Sequence, residues 1–171
     1  MDSKKTFYWT LFLHNEWSLY VASTEKGICY IGSNNASFDE LLKWGERHFN
    51  GAKLIENPSA FETNKLIEYL DGRRINIELP IDLRGTDFQQ QVWKLVMDVP
   101  YGETASYKKI AERLGRPSAV RAVAGAIGAN PVLFIVPCHR IIASNGKLTG
   151  FRGGLPMKES LLRLEKEYKQ Q

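Results

Sequence analysis

Residues 106–129 read SYKKIAERLGRPSAVRAVAGAIGA, and their reading decides the second half of the chain. Ser106 suits the cap of a helix reaching Leu114. Gly115-Arg116-Pro117 turns the chain, and Ser118 suits the cap of a second helix ending near Ala129. Two short helices across a tight, glycine-containing turn make a helix-turn-helix pattern. In the second helix nearly every side chain except Arg121 is small or β-branched, so it can lie unusually close to another surface. Glycine at 125 and 128 costs roughly 1 kcal/mol each against alanine inside a helix, and a packing or binding gain must offset that. Tight helix packing is the plainer source of such a gain. The sharper one is a helix set in a DNA groove, with Arg121 near its start and its free amides offered to phosphate.

Upstream, Thr86 to Gln89 is a capping box that opens a helix with Phe88, Val92, Trp93 and Val96 inward, ended by Pro100-Tyr101-Gly102. Before it, Pro80 to Gly85 marks a boundary, because the periodicity switches there from mixed to helical. The predicted domains are therefore 1–84 and 85–171. In the first, FYWTLFL, WSLYVAS and ICYIG read as three antiparallel strands between Thr6 and Ile31. Ser37 to Glu40 reads as a second capping box, opening a helix that ends near Gly51. Pro58 suits a first helical turn, with Phe61, Leu66, Ile67 and Leu70 at helical spacing before Asp71-Gly72. A short strand, Ile75 to Leu79, follows. Downstream of residue 129, Val132 to Val136 is a short apolar run, and Pro156 begins a last amphipathic helix. The fold class is α+β.

At 171 residues, 43% apolar and 25% charged, the chain can bury a true core. No apolar run approaches the roughly 20 residues needed to cross a bilayer, and the N-terminal stretch lacks a cleavage site, so the expected location is the cytoplasm. Cys29 and Cys138 are too few for a disulfide framework and lack zinc-site spacing. Residues 1–84 carry 10 Lys+Arg against 12 Asp+Glu, whereas residues 85–171 carry 13 against 7. All the excess positive charge lies in the second half, which suits a polyanionic partner.

The most informative chemistry is Ile135-Val136-Pro137-Cys138-His139-Arg140, a thiol, an imidazole and a guanidinium in succession after an apolar run. Burial raises a thiol pKa, and a cationic or imidazole neighbour lowers it, so Cys138 is a candidate nucleophile. In a regular strand adjacent side chains face opposite ways, so His139 takes the thiol proton only if Pro137 bends the backbone or a water relays it. The plainer reading is a structural cysteine beside a satisfied histidine. Cys29, with no basic neighbour closer than Lys26, reads as structural. In the last helix Met157, Leu161, Leu164 and Tyr168 form the inward stripe, and Glu165 lies beside it. Leaning inward, its carboxylate would hold the other imidazole nitrogen of His139, the orienting role in a catalytic triad, whereas the plainer reading is a solvated charge near Lys169.

Pro137-Cys138-His139-Arg140, preceded by Gly128-Ala129-Asn130-Pro131 and followed by Ser144-Asn145-Gly146 and Gly150-Phe151-Arg152-Gly153-Gly154, resembles the O6-alkylguanine-DNA alkyltransferase family over about residues 85–169. The resemblance implies an N-terminal ribonuclease-H-like domain and a C-terminal, mostly helical, winged-helix-like domain. It implies a single-use repair protein in which Cys138 takes the alkyl group from O6 of guanine, and O4-alkylthymine is a further candidate substrate. On the same carry-over His139 is the base through a water, Glu165 orients it, Asn130 holds the turn, and Tyr107 rotates the target phosphate and protonates the departing guanine. Arg121, Ser118, Ala122, Gly125 and Tyr107 would face DNA in the minor groove. Val136, Ile141, Phe151, Arg152 and Gly153 would line the base pocket. The expected partner is alkylated double-stranded DNA, bound by a monomer, with no cofactor. His14, Cys29 and His48 are too few for the zinc of some members, so no metal is expected.

Three other functions fit parts of the pattern. A non-catalytic lesion-binding protein shares the fold but lacks the cysteine. A major-groove regulator needs more base-reaching side chains than Ser118 and Arg121. A Cys-His hydrolase needs an oxyanion hole and turnover.

Overall fold

The computed structural model describes residues 6–169. Its first half is a four-stranded sheet in the order β3-β2-β1-β4, built from β1 (Thr6–His14), β2 (Trp17–Thr24), β3 (Gly27–Ile31) and β4 (Lys53–Glu56). The first three strands run antiparallel through tight turns, as their alternating aromatic and β-branched residues predict, and β4 lies parallel to β1. That fourth strand escapes sequence reading because only Leu54 and Ile55 carry its apolar signal. Helices α1 (Phe38–His48) and α2 (Asn64–Leu70) complete this half. Phe7, Ala22, Cys29, Tyr30, Leu41 and Phe49 form a core cluster, with Trp44 packed on it. A larger core continues from Phe12, Trp17, Leu19, Val21, Leu66 and Tyr69 into the second half.

The second half holds α3 (Asp87–Met97), a two-residue strand β5 (Ala105–Ser106), α4 (Tyr107–Arg113), α5 (Val120–Gly128), a 3₁₀ turn at Cys138–Arg140, β6 (Ile141–Ile142) and α6 (Leu155–Tyr168). The Thr86–Gln89 capping box forms in both directions, and the Ser106 side chain accepts from the Lys109 amide at 3.0 Å. Trp93 of α3, 1% exposed, donates its indole N–H to the Ala126 carbonyl of α5 at 2.8 Å. This bond sets how the second helix of the helix-turn-helix seats on α3.

Four expected local features resolve otherwise. Ser118 does not cap α5: the cap position is Ala119, without a side-chain bond, because the Pro117 turn carries the chain one residue further. The helix read from Pro58 begins only at Asn64, after turns at 58–62. No strand forms over 75–79. The extended chain meets the sheet later, where Ile81 bridges Ile28 and the Ile28 amide donates to the Pro80 carbonyl at 2.9 Å. The Ser37–Glu40 capping box is also not made, because Glu40 turns away from the helix start. Its carboxylate accepts from the Ser33 hydroxyl at 2.6 Å, the Ser33 amide at 2.9 Å, Tyr30 and the Arg152 guanidinium at 3.1 Å.

Arg152 thereby joins the two halves. Beyond Glu40 it donates to the carbonyl of Asn130 at 2.8 Å and to those of Ile31 and Pro131. The Ile31 amide itself donates to the Pro131 carbonyl at 2.9 Å, and Ile31 bridges Val132. The segment leading to Cys138 thus completes the open edge of β3. Burial pushes the Glu40 carboxyl up, but its hydrogen bonds from Ser33 and Tyr30 and the Arg152 charge outweigh that, so it sits below its ordinary value of 4.5. A carboxyl lowered on folding contributes stability that is present above pH 4.5 and lost as pH falls through the folded value. Glu40→Gln, which turns an amide NH₂ toward donors, is expected to lower Tm at pH 7 by about 4–8 °C, the scale of one or two charged hydrogen bonds in a chain this long. The gap from wild type should narrow below pH 4.5 in thermal melts, and a gap constant down to pH 3.5 would refute the assignment.

Candidate active site and nucleic-acid face

Pro137 (φ −80°, ψ 60°) breaks the extended run, and Cys138–Arg140 close one 3₁₀ turn, with the Arg140 amide on the Pro137 carbonyl at 2.9 Å. Three residues per turn spread consecutive side chains around an axis instead of across two faces, so of the two alternatives read from the sequence the bend at Pro137 is present. The reactive segment is also strained just upstream. Phe134 holds φ +71°, a conformation a bulky residue adopts only when its surroundings fix it. Its ring is clamped edge-on by Trp17 at 5.7 Å and Tyr69 at 6.1 Å, both from the first half.

Cys138 is 3% exposed, and its Sγ accepts from the Asn130 side-chain amide at 3.0 Å. The same amide donates to the Val136 carbonyl at 2.8 Å, while Asn130 Oδ1 accepts from the Val132 amide at 2.9 Å. Asn130 therefore staples the loop and touches the thiol. His139 is fully buried, and its Nε2 lies 2.9 Å from Glu165 Oε2. Its Nδ1 is buried without a hydrogen-bonding partner in the protein, which leaves that nitrogen to take a proton. Arg140, read from sequence only as a cationic neighbour of the thiol, grips the same carboxylate: its Nε donates to Oε1 at 2.6 Å and Oε2 at 3.1 Å, and another nitrogen donates to the Val99 carbonyl at 2.7 Å. Glu165 is 1% exposed, so two groups able to carry positive charge compensate one buried carboxylate.

Burial is the largest influence on the thiol and pushes its pKa up. The Asn130 amide and the nearby Arg152 and Lys158 cations pull it down without reversing the shift. The resting residue is therefore a thiol, and cationic neighbours alone do not make it a thiolate. Burial likewise holds His139 below its ordinary 6.5, against the pull of Glu165, so the ring is neutral and basic at pH 7. Cys29, pushed up to about 12 by burial, is inert.

A second missed residue is Lys158, with no exposure at all. Its ammonium donates to the carbonyls of Ile141 at 2.5 Å and Thr149 at 3.2 Å. Hydropathy marks any lysine as exposed, yet 158, 161 and 165 share one helical face. Tyr107 opens α4, and its hydroxyl also donates to the Thr149 carbonyl, at 2.8 Å. The loop after Cys138 is thus pinned from two sides.

Around this centre the expected pocket residues divide. Val136 and Ile141 have fully buried side chains, so only their main chain is left to meet a ligand. Phe151 is half-buried, and at Gly153 a Cβ would lie 2.4 Å from Met157 Sδ and 2.7 Å from the Phe151 ring, so glycine is required for that approach. Arg152 does not offer its guanidinium to the pocket as expected, since five protein acceptors already hold it. On α5 the buried residues are Val123, Ala126 and Ile127, whereas Arg121, Ala122, Gly125 and Gly128 are exposed, as is Ser118 before the helix. Nothing lies within 4 Å of a Cβ placed on Gly125 or Gly128. Packing inside the protein therefore does not account for these glycines. Their face is open to an outside surface.

Among the described residues, no cluster of three or more His, Cys, Asp or Glu is placed to hold a metal ion, and no helix is long and apolar enough to cross a membrane. Residues 7–83 match the family model "6-O-methylguanine DNA methyltransferase, ribonuclease-like domain", and residues 87–167 match its "DNA binding domain". The chain is 47% identical over 166 residues to the inducible methylated-DNA–protein-cysteine methyltransferase of Bacillus subtilis, covering 96% of this chain and 93% of that one. It superposes on the crystal structure of Mycobacterium tuberculosis O6-methylguanine methyltransferase with a TM-score of 0.82 at 36% identity, over 95% of this chain and 94% of that one. A Mycobacterium tuberculosis OGT solved in complex with DNA matches with a TM-score of 0.79, again at 36% identity, over 95% and 94% of the two chains. With a thiol held by Asn130 just past an open small-residue helix, the next residue a neutral imidazole on an orienting carboxylate, and both family models together spanning nearly the whole sequence, the chain belongs to the methylated-DNA–protein-cysteine methyltransferase family.

Proposed function

We propose that the protein repairs alkylated double-stranded DNA by transferring the alkyl group from O6 of guanine to Cys138, once per molecule, as a monomer acting on the chromosome in the cytoplasm. The observation that carries this reading is the buried chain Asn130–Cys138 with His139–Glu165–Arg140, which holds a thiol beside a neutral base aimed by a carboxylate. His139 Nδ1 takes the thiol proton through a water. The sulfur then attacks the alkyl carbon in line, the S–C bond forms as the C–O6 bond breaks, and guanine leaves with its electron pair. Tyr107 protonates the departing base and is reprotonated from solvent, as the imidazolium of His139 gives the thiol's proton up to solvent. The product thioether resists hydrolysis, so no step regenerates the thiol. O4-alkylthymine presents the same alkyl–oxygen bond and is a second candidate substrate.

Residues 85–171 form the alkyl-acceptor and DNA-binding domain, supported by residues 1–84. The DNA face is the open side of α5. Apart from Arg121 its side chains are too short to read base edges in the major groove, and their shortness suits close approach to the shallow edge of the minor groove. Ser118 and Tyr107 flank that face, and Arg121 fills the stack after the base leaves. Extruding the base costs a few kcal/mol, least where alkylation has already weakened pairing.

Intact mass and peptide mapping after mixing with a duplex holding one O6-methylguanine are expected to show one methyl on Cys138, saturating at one per protein and absent in Cys138→Ser. Tight lesion binding without mass gain would instead mean a recognition protein with an idle cysteine. Gly125→Gln should act in two directions. It raises Tm, because glutamine is a better helix former by about 0.5 kcal/mol, yet weakens duplex binding by filling the open face. A variant that gains stability with unchanged duplex affinity would remove α5 from the interface. Arg121→Ala is expected to slow repair of duplex more than reaction with the free O6-methylguanine base, and equal losses on both would exclude a role in extrusion.

A further inference from the structure

Tyr69 lies on α2, in the half of the chain that carries no reactive group, yet it is 1% exposed and its hydroxyl is 3.5 Å from His139 Nε2. Its ring stands edge-on to Tyr101 at 5.9 Å and to Phe134 at 6.1 Å, with interplanar angles of 90° and 85°, so the phenol cannot swing away. We infer that Tyr69 is a positioning residue for the proton transfer: its phenol oxygen is the second acceptor for His139 Nε2–H, the longer arm of a three-centre bond whose shorter arm is Glu165.

The tautomer follows from the short arm. A carboxylate oxygen 2.9 Å from Nε2 requires the hydrogen on Nε2, because two facing lone pairs would repel. The phenol oxygen 3.5 Å from the same nitrogen then faces that hydrogen as well, and shared donors of this kind are common in proteins. Two acceptors on one N–H define the ring plane, where one alone allows rotation about the bond. The plane of the ring sets where Nδ1 points, and Nδ1 is the nitrogen left to accept the Cys138 proton. Two oxygens on Nε2–H also favour the imidazolium that forms when the proton arrives.

The groups facing His139 are few. Glu165 and Lys158 come from α6, Cys138 and Arg140 from its own turn, and Tyr69 from α2, with Tyr101 behind Tyr69 and Tyr168 beyond it. Burial and the Glu165 charge push the Tyr69 phenol well above 10, so it stays neutral throughout the working range and acts as a fixed dipole. The Arg140 guanidinium also faces its oxygen, so the phenol turns its lone pairs toward both side chains that hold Glu165.

This inference rests on His139 being the base in the proposed transfer, and one experiment separates the two. Single-turnover alkylation of Cys138 by an O6-methylguanine duplex is followed from pH 5 to 9.5 in wild type and Tyr69→Phe, with duplex affinity measured alongside. A wild type that does not alkylate would overturn the proposed function itself. If it alkylates, Tyr69→Phe is expected to be about 3- to 10-fold slower at pH 7.5, the effect of one neutral hydrogen bond, with duplex affinity unchanged. Because the variant destabilises the imidazolium, its acid limb should move to lower pH, and its deficit should shrink as alkali ionises the thiol without help. A deficit equal at every pH, or none, would overturn the inference. Should Tyr69→Phe fail to fold, 3-fluorotyrosine at position 69 keeps the ring and weakens the acceptor. It is expected to slow the reaction less, with the same downward movement of the acid limb, and an unchanged profile would again be decisive against it.

Discussion

One buried carboxylate organises the reactive half of the molecule. Glu165 sits almost without solvent, gripped through two nitrogens' reach by Arg140 and approached by His139 Nε2. A charge in that position is costly to desolvate, and removing one partner of a buried pair typically costs about 3–5 kcal/mol, so the arrangement tolerates few alternatives. That intolerance is useful, because α6, the 3₁₀ turn and the imidazole must then hold one mutual geometry. Arg140 ties the cluster on to the Val99 carbonyl at the end of α3, and Lys158, one face-repeat back along α6, pins Ile141 and Thr149. The turn bearing Cys138 is therefore suspended between α6 and α3 by charged hydrogen bonds, while apolar packing fills the space around it.

The N-terminal half acts on that turn through backbone as much as through side chains. The open edge of β3 is closed by Ile81 on one stretch and by the Pro131–Val132 segment on the next, so the sheet ends in the chain that leads to the nucleophile. Arg152 crosses the same seam to Glu40 and the Ile31 carbonyl while holding the Asn130 and Pro131 carbonyls on its own side. Trp17 and Tyr69 then hold Phe134 in a left-handed backbone conformation that such a residue does not choose freely. Strain of order 1–3 kcal/mol is sustained only where surrounding structure overdetermines it, and here the surrounding structure comes from the other half of the chain. A half without chemistry of its own thereby fixes where the chemistry sits.

Much of this was legible in the residues. The three antiparallel strands, the Thr86–Gln89 capping box and the two helices around Gly115 follow from patterns spanning a few residues, and such patterns report local geometry directly. Pro137-Cys138-His139 announced a bend with a thiol and a base, and the spacing of α6 placed Glu165 at its inward edge. The reading failed where a side chain had a better partner far along the chain. Ser37 and Glu40 form a correct capping pattern, but Ser33, Tyr30 and Arg152 offer Glu40 more than a helix start does. Arg152 reads as a pocket residue in its glycine-rich loop until five distant acceptors claim it.

The three antiparallel strands, the helices at 38–48, 87–97, 107–113 and 120–128, the α+β class, the candidate nucleophile and the small-residue character of α5 are all written in the residues, because each depends on neighbours within a turn or two. Folding alone settles which way α5 faces, that no other part of the protein covers its glycines at 125 and 128, and that the thiol is held up in pKa despite its cationic neighbours. Orientation and electrostatics sum over groups remote in sequence, and burial, the largest influence on Cys138, exists only once the chain has closed around it.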